Sequence, residues 1–62
     1  MKRSQLIKYL HHNACIFERE GSGHTIYKNL TAGKRTAIPR HAEIKDIVCN
    51  EICKQLGIPK IK

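Results

Sequence analysis

The spacing of hydrophobic residues predicts a helix near each end of this chain. In the first, apolar residues recur at intervals that place them on one helical face, and these residues are Leu6, Ile7 and Leu10. Ser4 precedes them, and serine is a frequent N-cap because its hydroxyl accepts a hydrogen bond from a free backbone N–H. We therefore predict a helix over residues 4–12, followed by Asn13 at the C-cap or left-handed position.

The second helix is predicted from a broader apolar stripe in the last third of the chain. Its members repeat with a helical period and are Ile44, Ile47, Val48, Ile52 and Leu56. The stripe stops at Gly57, a residue type that commonly ends helices, and Pro59 follows shortly after. These signals predict a helix that begins near residue 42 and ends at Gly57.

Between the two helices the pattern changes to the two-residue alternation of strands. Residues 14–20 and 24–29 are separated by a glycine-serine-glycine sequence at 21–23, which is typical of a tight turn, so they are predicted to form a hairpin. A third strand is predicted over residues 35–39. It should end at Pro39, because proline has no backbone N–H to donate to a neighbouring strand.

The order α-β-β-β-α predicts an α+β fold, a single domain over residues 1–62. Two helices would cover one face of a three-stranded antiparallel sheet, and the other face would meet water. Alternation alone does not decide which side of the second strand faces the helices, since Ile26 and Tyr27 lie on opposite sides. We expect Tyr27 to point inward, which leaves His24 and Lys28 together on the solvent side.

Charge and length narrow the possible functions. Twelve Lys and Arg residues against five Asp and Glu residues give a net charge of +7 on only 62 residues. A chain this short leaves no room for an enclosed substrate pocket, so any activity would take place on an open surface. The positive field attracts polyanions, and the candidate partners are nucleic acid, an anionic membrane and an acidic protein. A basic composition that serves solubility alone is the simpler alternative.

The cysteines indicate a reduced protein without a metal site. Cys15, Cys49 and Cys53 are an odd number and lack the dense pattern of secreted disulfide proteins. Cys49 and Cys53 stand four residues apart on the second helix, but a zinc ion would need two more ligands, and buried cysteine commonly acts as a small hydrophobic residue. We therefore predict no metal and no other cofactor.

The start of the chain is basic, as in a signal peptide, but the following apolar run is interrupted by Lys8 before it reaches the required length. Moreover, no stretch approaches the roughly 20 apolar residues of a membrane span. The expected location is therefore the cytoplasm, without membrane contact.

His24 is the candidate for chemistry, because it directly follows the glycine-rich turn, where a polymer can approach the backbone closely. RNA carries its own nucleophile, the 2′-OH, so one side chain that removes this proton can cleave it without a metal. Histidine gains and loses a proton near neutral pH. We predict His24 as general acid/base, with Lys28 or Arg35 offering charge to the phosphate. From spacing alone, an ordinary exposed turn histidine remains the alternative.

The other basic residues are predicted to bind RNA or to serve structure. His11 and His12 end the first helix, where a positive charge interacts favourably with the helix dipole. This structural role accounts for the pair without a further function. An arginine-histidine pair precedes the predicted second helix, whose N-terminus could seat a phosphate. The predicted nucleic-acid-binding residues are Lys28, Lys34, Arg35, Arg40 and His41. The sequence has no P-loop, paired carboxylates or GxSxG motif, so nucleotide hydrolysis, glycosidase and esterase functions lack support.

Several short segments form an ordered set along the chain: residues 1–4 and 6–7 in the first helix, Gly-Ser-Gly-His at 21–24, Ile-Pro-Arg-His at 38–41 with 43–44, and residues 52–58. Through this set the chain resembles the HicA family of toxin–antitoxin ribonucleases over nearly its whole length. The ordered set in a chain of this length is specific.

The resemblance implies a fold like the double-stranded RNA-binding domain, metal-independent cleavage of messenger RNA, and inhibition by a HicB antitoxin encoded beside it. It also implies that His24 is the catalytic histidine. Many members carry further histidines directly after that one, whereas this chain has Thr25 and Ile26. No second imidazole is then available to replace His24.

Two other functions stay open from the residues themselves. One is a non-catalytic module that binds structured RNA through its shape and phosphates. The other is a basic protein that only pairs with an acidic partner, which predicts no salt-dependent affinity for RNA.

Overall fold

The computed structural model describes residues 1–61 and has the predicted order of elements; Lys62, the last residue of the predicted domain, lies outside the described residues. The helices and strands are α1 (Arg3–His12), β1 (Cys15–Gly21), β2 (His24–Asn29), β3 (Arg35–Pro39) and α2 (Asp46–Leu56). The strands form one antiparallel sheet in the order β1-β2-β3. The predicted α+β fold is confirmed.

The hydrophobic core lies between the helices and one face of the sheet. Its buried members are Leu6, Leu10, Cys15, Tyr27, Ile38, Ile44, Cys49, Ile52 and Leu56. Tyr27 is 6% exposed, so the prediction that it points inward is confirmed. Thr25 and Asn29, its neighbours on the same side of β2, are also buried. The alternate residues of β2 therefore belong to the opposite side of the sheet.

That opposite side, called here the outer face, is defined by the strand register, because residues directly opposite each other on paired strands share a face. Its members are Ile16, Arg19, Gly21, His24, Ile26, Lys28, Arg35, Ala37 and Pro39. His24 is paired with Gly21 and Pro39 at one end of the sheet. Lys28 is paired with Ile16 and Arg35 towards the other end.

The start of α1 differs from the prediction. Lys2, in extended conformation, is the N-cap, no side chain caps the helix, and Ser4 already lies inside it. The N-cap role predicted for Ser4 is therefore wrong. The physical reason is a long-range pairing, since Lys2 forms a β-bridge with Glu43 and the Arg3 amide donates to the Ala42 carbonyl over 2.8 Å. This pairing holds the chain extended up to the first residue of the helix.

Because of the same pairing, α2 begins at Asp46 and not near residue 42. Ile44 is buried but lies before the helix, and Ile47 is 77% exposed, so the predicted apolar stripe is wrong at both positions. Arg40 and His41 consequently lie several residues before the helix. The predicted phosphate seat at the helix start is therefore not formed by these two residues.

The ends of the helices agree with the sequence signals. Asn13 is the C-cap of α1, and Gly57 ends α2 in the left-handed conformation with φ 75°. The left-handed residue after α1 is Ala14, with φ 61°. Within residues 1–61, no helix has the length and apolar character needed to cross a membrane.

Candidate active site and nucleic-acid interface

His24 is exposed and begins β2 directly after a two-residue turn, 22–23, that joins it to β1. Gly23 has φ 74° in this turn, a left-handed conformation that glycine adopts without steric penalty. Because the turn ends the sheet, no further strand residues shield the imidazole. A large polymer can therefore reach the His24 side chain.

The imidazole of His24 is oriented by its own turn. Its Nδ1 lies 3.2 Å from the carbonyl oxygen of Ser22. A carbonyl oxygen only accepts hydrogen bonds, so the contact assigns the proton to Nδ1 in the neutral ring. The Nε2 atom then carries the free lone pair. A general base needs such an atom, accessible and unprotonated.

Arg40 is bound to both sides of this turn. Its Nη2 donates to Glu20 Oε1 over 2.5 Å, to the Gly21 carbonyl over 2.9 Å and to the His24 carbonyl over 3.1 Å. The hydrogen bond from Arg40 is the main reason why the pKa of the Glu20 carboxyl lies below its usual value. The predicted nucleic-acid-binding residue Arg40 therefore lies at the His24 end of the sheet, in contact with the backbone of His24 itself.

A second pair of side chains extends this network into α1. Thr25, which is 4% exposed, donates its hydroxyl to Glu20 Oε1 over 3.1 Å and accepts from Arg3 Nη2 over 3.0 Å. Arg3 Nε also donates to the Pro39 carbonyl over 2.9 Å. We call these four side chains the hairpin clamp, and its members are Arg3, Glu20, Thr25 and Arg40.

Lys28 and Arg35 lie towards the end of the sheet that is farther from His24. Each lies four residues along its strand from the His24–Pro39 pair, which is about 13 Å at the rise of an extended strand. Arg35 also donates through Nε to Glu18 Oε1 over 2.7 Å. The structure therefore does not bring Lys28 or Arg35 next to His24, and their contact with the same phosphate stays a prediction.

Lys34 lies farther from His24 again, in the connection between β2 and β3. A β-carbon built on Gly57 would be 3.3 Å from Lys34 Cδ, so the lysine side chain lies against the C-terminal end of α2. The free carbonyl groups at a helix C-terminus favour a positive charge. Lys34 thus has a structural neighbour that accounts for its position.

His41 is exposed on the segment after β3, near the His24 end of the sheet. It contributes to a groove of about 220 Å³, whose lining residues are Pro39, His41, Glu43, Ile44, Lys45 and Val48. Because Pro39 is the cross-strand partner of His24, the groove adjoins the candidate active site. A larger cleft of about 450 Å³ lies beside α2 near Asp46 and Cys49 and contains none of the predicted site residues.

Arg19 is a cation near His24 that the sequence analysis missed. It is paired with Ile26, two residues along β2 from His24 on the outer face, and its side chain is 62% exposed. The register of β1 shifts between Phe17 and Arg19, where a β-bulge places an extra residue in the strand. Strict alternation along β1 therefore gives no sign that Arg19 shares a face with His24.

The structure offers no ready metal site at these residues. Within residues 1–61, no group of three or more His, Cys, Asp or Glu side chains is placed to hold an ion. Cys15, Cys49 and Cys53 are buried free thiols, and burial raises the pKa of each. Protonated, buried thiols are poor ligands and poor nucleophiles.

The clamp carboxylate gives a prediction for stability against pH. Glu20 has a lowered pKa in the fold, so its contribution to stability is present above the ordinary value of 4.5 and is lost as the pH falls through the folded value. We expect the melting temperature of the parent protein to fall more between about pH 5 and about pH 3 than that of Glu20→Gln, measured by circular dichroism. Equal pH dependence of the two proteins would contradict the ion pair with Arg40.

The chain matches a known protein family along most of its length. The family model described as HicA toxin of bacterial toxin-antitoxin matches residues 3–58, nearly the whole chain. The matched range contains both helices, the three strands and His24. No curated protein and no solved structure matches the chain.

Proposed function

The chain belongs to the HicA family of toxins of bacterial toxin–antitoxin systems, and from that premise we propose that it is a metal-independent endoribonuclease that cleaves messenger RNA. The observation that carries the proposal is the state of His24, which is exposed, follows an open turn and has Nδ1 bound to the Ser22 carbonyl. This arrangement leaves Nε2 free to act on a substrate, on a chain with a net charge of +7.

In the proposed reaction, His24 Nε2 removes the proton of a ribose 2′-OH. The 2′ oxygen attacks the adjacent phosphorus, the bond from phosphorus to the 5′ oxygen breaks, and the departing oxygen receives the proton from the imidazolium. The products are a 2′,3′-cyclic phosphate and a 5′-hydroxyl. General acid–base catalysis of this kind contributes about 10²–10⁴-fold to the rate. No step requires a metal or another cofactor.

The outer face suits the proposed substrate. The five predicted nucleic-acid-binding residues form two groups, with Arg40 and His41 near His24 and the other three, Lys28, Lys34 and Arg35, at the far end of the sheet. We propose that an RNA strand follows the outer face between the two groups, with Arg19 beside the cleaved bond. Contacts with several phosphates predict an affinity that falls steeply with salt concentration.

The experiment that tests this function uses a substrate change. After the cleavage site in a short RNA is mapped in the presence of EDTA, the nucleotide on the 5′ side of the cut is replaced with its 2′-deoxy form. We expect cleavage at that bond to disappear, because the nucleophile is missing, while other bonds are still cut. Persistent cleavage at the deoxy position would contradict a 2′-OH mechanism.

The antitoxin partner follows from the family, and we propose that a HicB-like antitoxin covers the His24 end of the outer face. The exposure of His24 motivates this proposal, since an uncovered catalytic residue would stay active. Adding the antitoxin encoded beside this chain should stop RNA cleavage and protect His24 from acylation by diethylpyrocarbonate, measured by mass spectrometry. His12, exposed at the end of α1, provides the comparison. A complex in which His24 is modified as before and RNA is still cut would contradict the proposal.

A further inference from the structure

The hairpin clamp joins the turn before His24 to four separate parts of the chain. Arg3 belongs to α1, Glu20 to β1, Thr25 to β2, and Arg40 to the segment after β3. Hydrogen bonds of 2.5–3.1 Å link them in the order Arg3, Thr25, Glu20 and Arg40. The clamp therefore fixes the His24 end of the hairpin relative to the rest of the fold.

The turn needs such support to orient an imidazole. The two glycines in its glycine-serine-glycine sequence have more accessible backbone conformations than other residues. Holding them in one conformation therefore costs more conformational entropy. The orientation of the His24 ring depends on the Ser22 carbonyl, which lies within the turn. Arg40 holds the carbonyl groups of Gly21 and His24, which flank the turn on both sides.

We propose that Arg40, held in place by Glu20, is a positioning residue that fixes the turn and thereby directs the imidazole of His24. The inference rests on the proposed ribonuclease function and assigns to Arg40 a role that differs from a phosphate contact. Within residues 1–61, Arg40 donates through Nη2 to three acceptors of the protein itself.

Positioning and phosphate binding predict different effects of removing Glu20 on the cleavage step. If Arg40 serves to bind phosphate, loss of the neighbouring carboxylate leaves the arginine free and makes the surface more positive, which strengthens RNA binding. If Arg40 serves to position His24, loss of Glu20 releases the guanidinium from the turn. The cleavage step then slows even though the RNA binds at least as tightly.

Glu18 provides a matched control for this comparison. It lies on the same strand as Glu20 and also forms an ion pair with an arginine, Arg35, at 2.7 Å, with Arg19 farther away at 3.8 Å. Like Glu20, it has a pKa lowered chiefly by the hydrogen bond from its arginine. Glu18→Ala and Glu20→Ala therefore remove the same charge and each breaks an ion pair with an arginine, but only Glu20 belongs to the clamp.

The first measurement is single-turnover cleavage of a short RNA. We expect Glu20→Ala to lower the cleavage rate at saturation by roughly 10- to 100-fold, the size of effect that a small misplacement of a catalytic group produces. Glu20→Gln, which keeps an oxygen acceptor for Arg40, should recover most of that loss. Glu18→Ala, which leaves the clamp intact, should not show this loss. Equal rates for the two alanine variants would overturn the proposal.

The second measurement does not depend on activity. The ¹⁵N shifts of the His24 ring report which nitrogen carries the proton when the ring is neutral. In the parent protein and in Glu18→Ala we expect Nδ1 to be protonated, and in Glu20→Ala we expect a mixture of both forms. An unchanged His24 spectrum in Glu20→Ala would overturn the proposal. Absence of cleavage by the parent protein, together with the expected spectra, would refute the proposed function and leave the clamp supported.

Discussion

Replacing His24 with alanine is expected to lower the rate of RNA cleavage by about 10²- to 10⁴-fold, the usual contribution of a general acid or base. No other histidine directly follows the turn, where Thr25 and Ile26 stand next in the chain. Arg40, which donates to the His24 carbonyl, carries a guanidinium, a group with N–H donors and no acceptor atom that could take the proton of a 2′-OH. The measurement is the single-turnover rate of cleavage of a labelled RNA in EDTA.

The fold should tolerate this change, because the His24 side chain is exposed and bonds the carbonyl of the nearby Ser22. His12→Ala is the control, since it removes an exposed histidine at the end of α1. We expect His12→Ala to cleave like the parent protein and both variants to give the parent circular dichroism spectrum. A His24→Ala variant that is folded and cleaves at the rate of His12→Ala would refute the catalytic role.

Replacing Asn29 with alanine is expected to cause the largest loss of stability among the polar residues of the sheet. Asn29 is 4% exposed, and its Nδ2 donates to the Leu56 carbonyl over 2.7 Å. Its Oδ1 accepts from the amides of Thr31 and Ala32 over 2.9 and 3.2 Å. One side chain thus ties the turn after β2 to the end of α2.

An unsatisfied buried polar group costs about 1–3 kcal/mol, so we expect Asn29→Ala to lower the free energy of unfolding by about 2–4 kcal/mol. That is a large part of the ~3–9 kcal/mol typical of a chain of this size. Urea unfolding measures the change. Asn13→Ala is the control, because it removes one half-buried hydrogen bond, to the Tyr9 carbonyl, and should cost about 0.5–1.5 kcal/mol. Equal losses in the two variants would contradict the role of Asn29.

The strands could be predicted closely because their signals are local. The glycine-rich turn fixes where β2 begins at His24, and Pro39 fixes where β3 ends. The inward orientation of Tyr27 was also correct. Each of these features depends on a few neighbouring residues, whose backbone preferences are known without the rest of the fold.

The starts of both helices could not be predicted, because one contact between distant segments sets them. The bridge between Lys2 and Glu43 keeps both segments extended, and neither segment shows this pairing in its own sequence. It leaves Ser4 inside α1 and Ile47 exposed on α2. The spacing of apolar residues can therefore follow a helical period beyond the point where the helix itself begins.

The candidate site also has one part that the sequence indicates and another part that depends on the folded structure. Sequence alone located His24 through its turn, but the clamp depends on strand register, which brings Glu20 opposite Thr25. A β-bulge between Phe17 and Arg19 changes the alternation of β1, so the position of Arg19 beside His24 could not be foreseen. Arg40 gave a signal as a basic residue, but its contacts with the turn required the folded segment after β3.

The measurement that tests the central claim most directly is mass spectrometry of the RNA ends made by the purified protein in EDTA. The account predicts fragments with a 2′,3′-cyclic phosphate at one end and a 5′-hydroxyl at the other, formed by the parent protein and absent with His24→Ala. Fragments with 3′-hydroxyl and 5′-phosphate ends, or cleavage that appears only when a divalent metal is added, would contradict it.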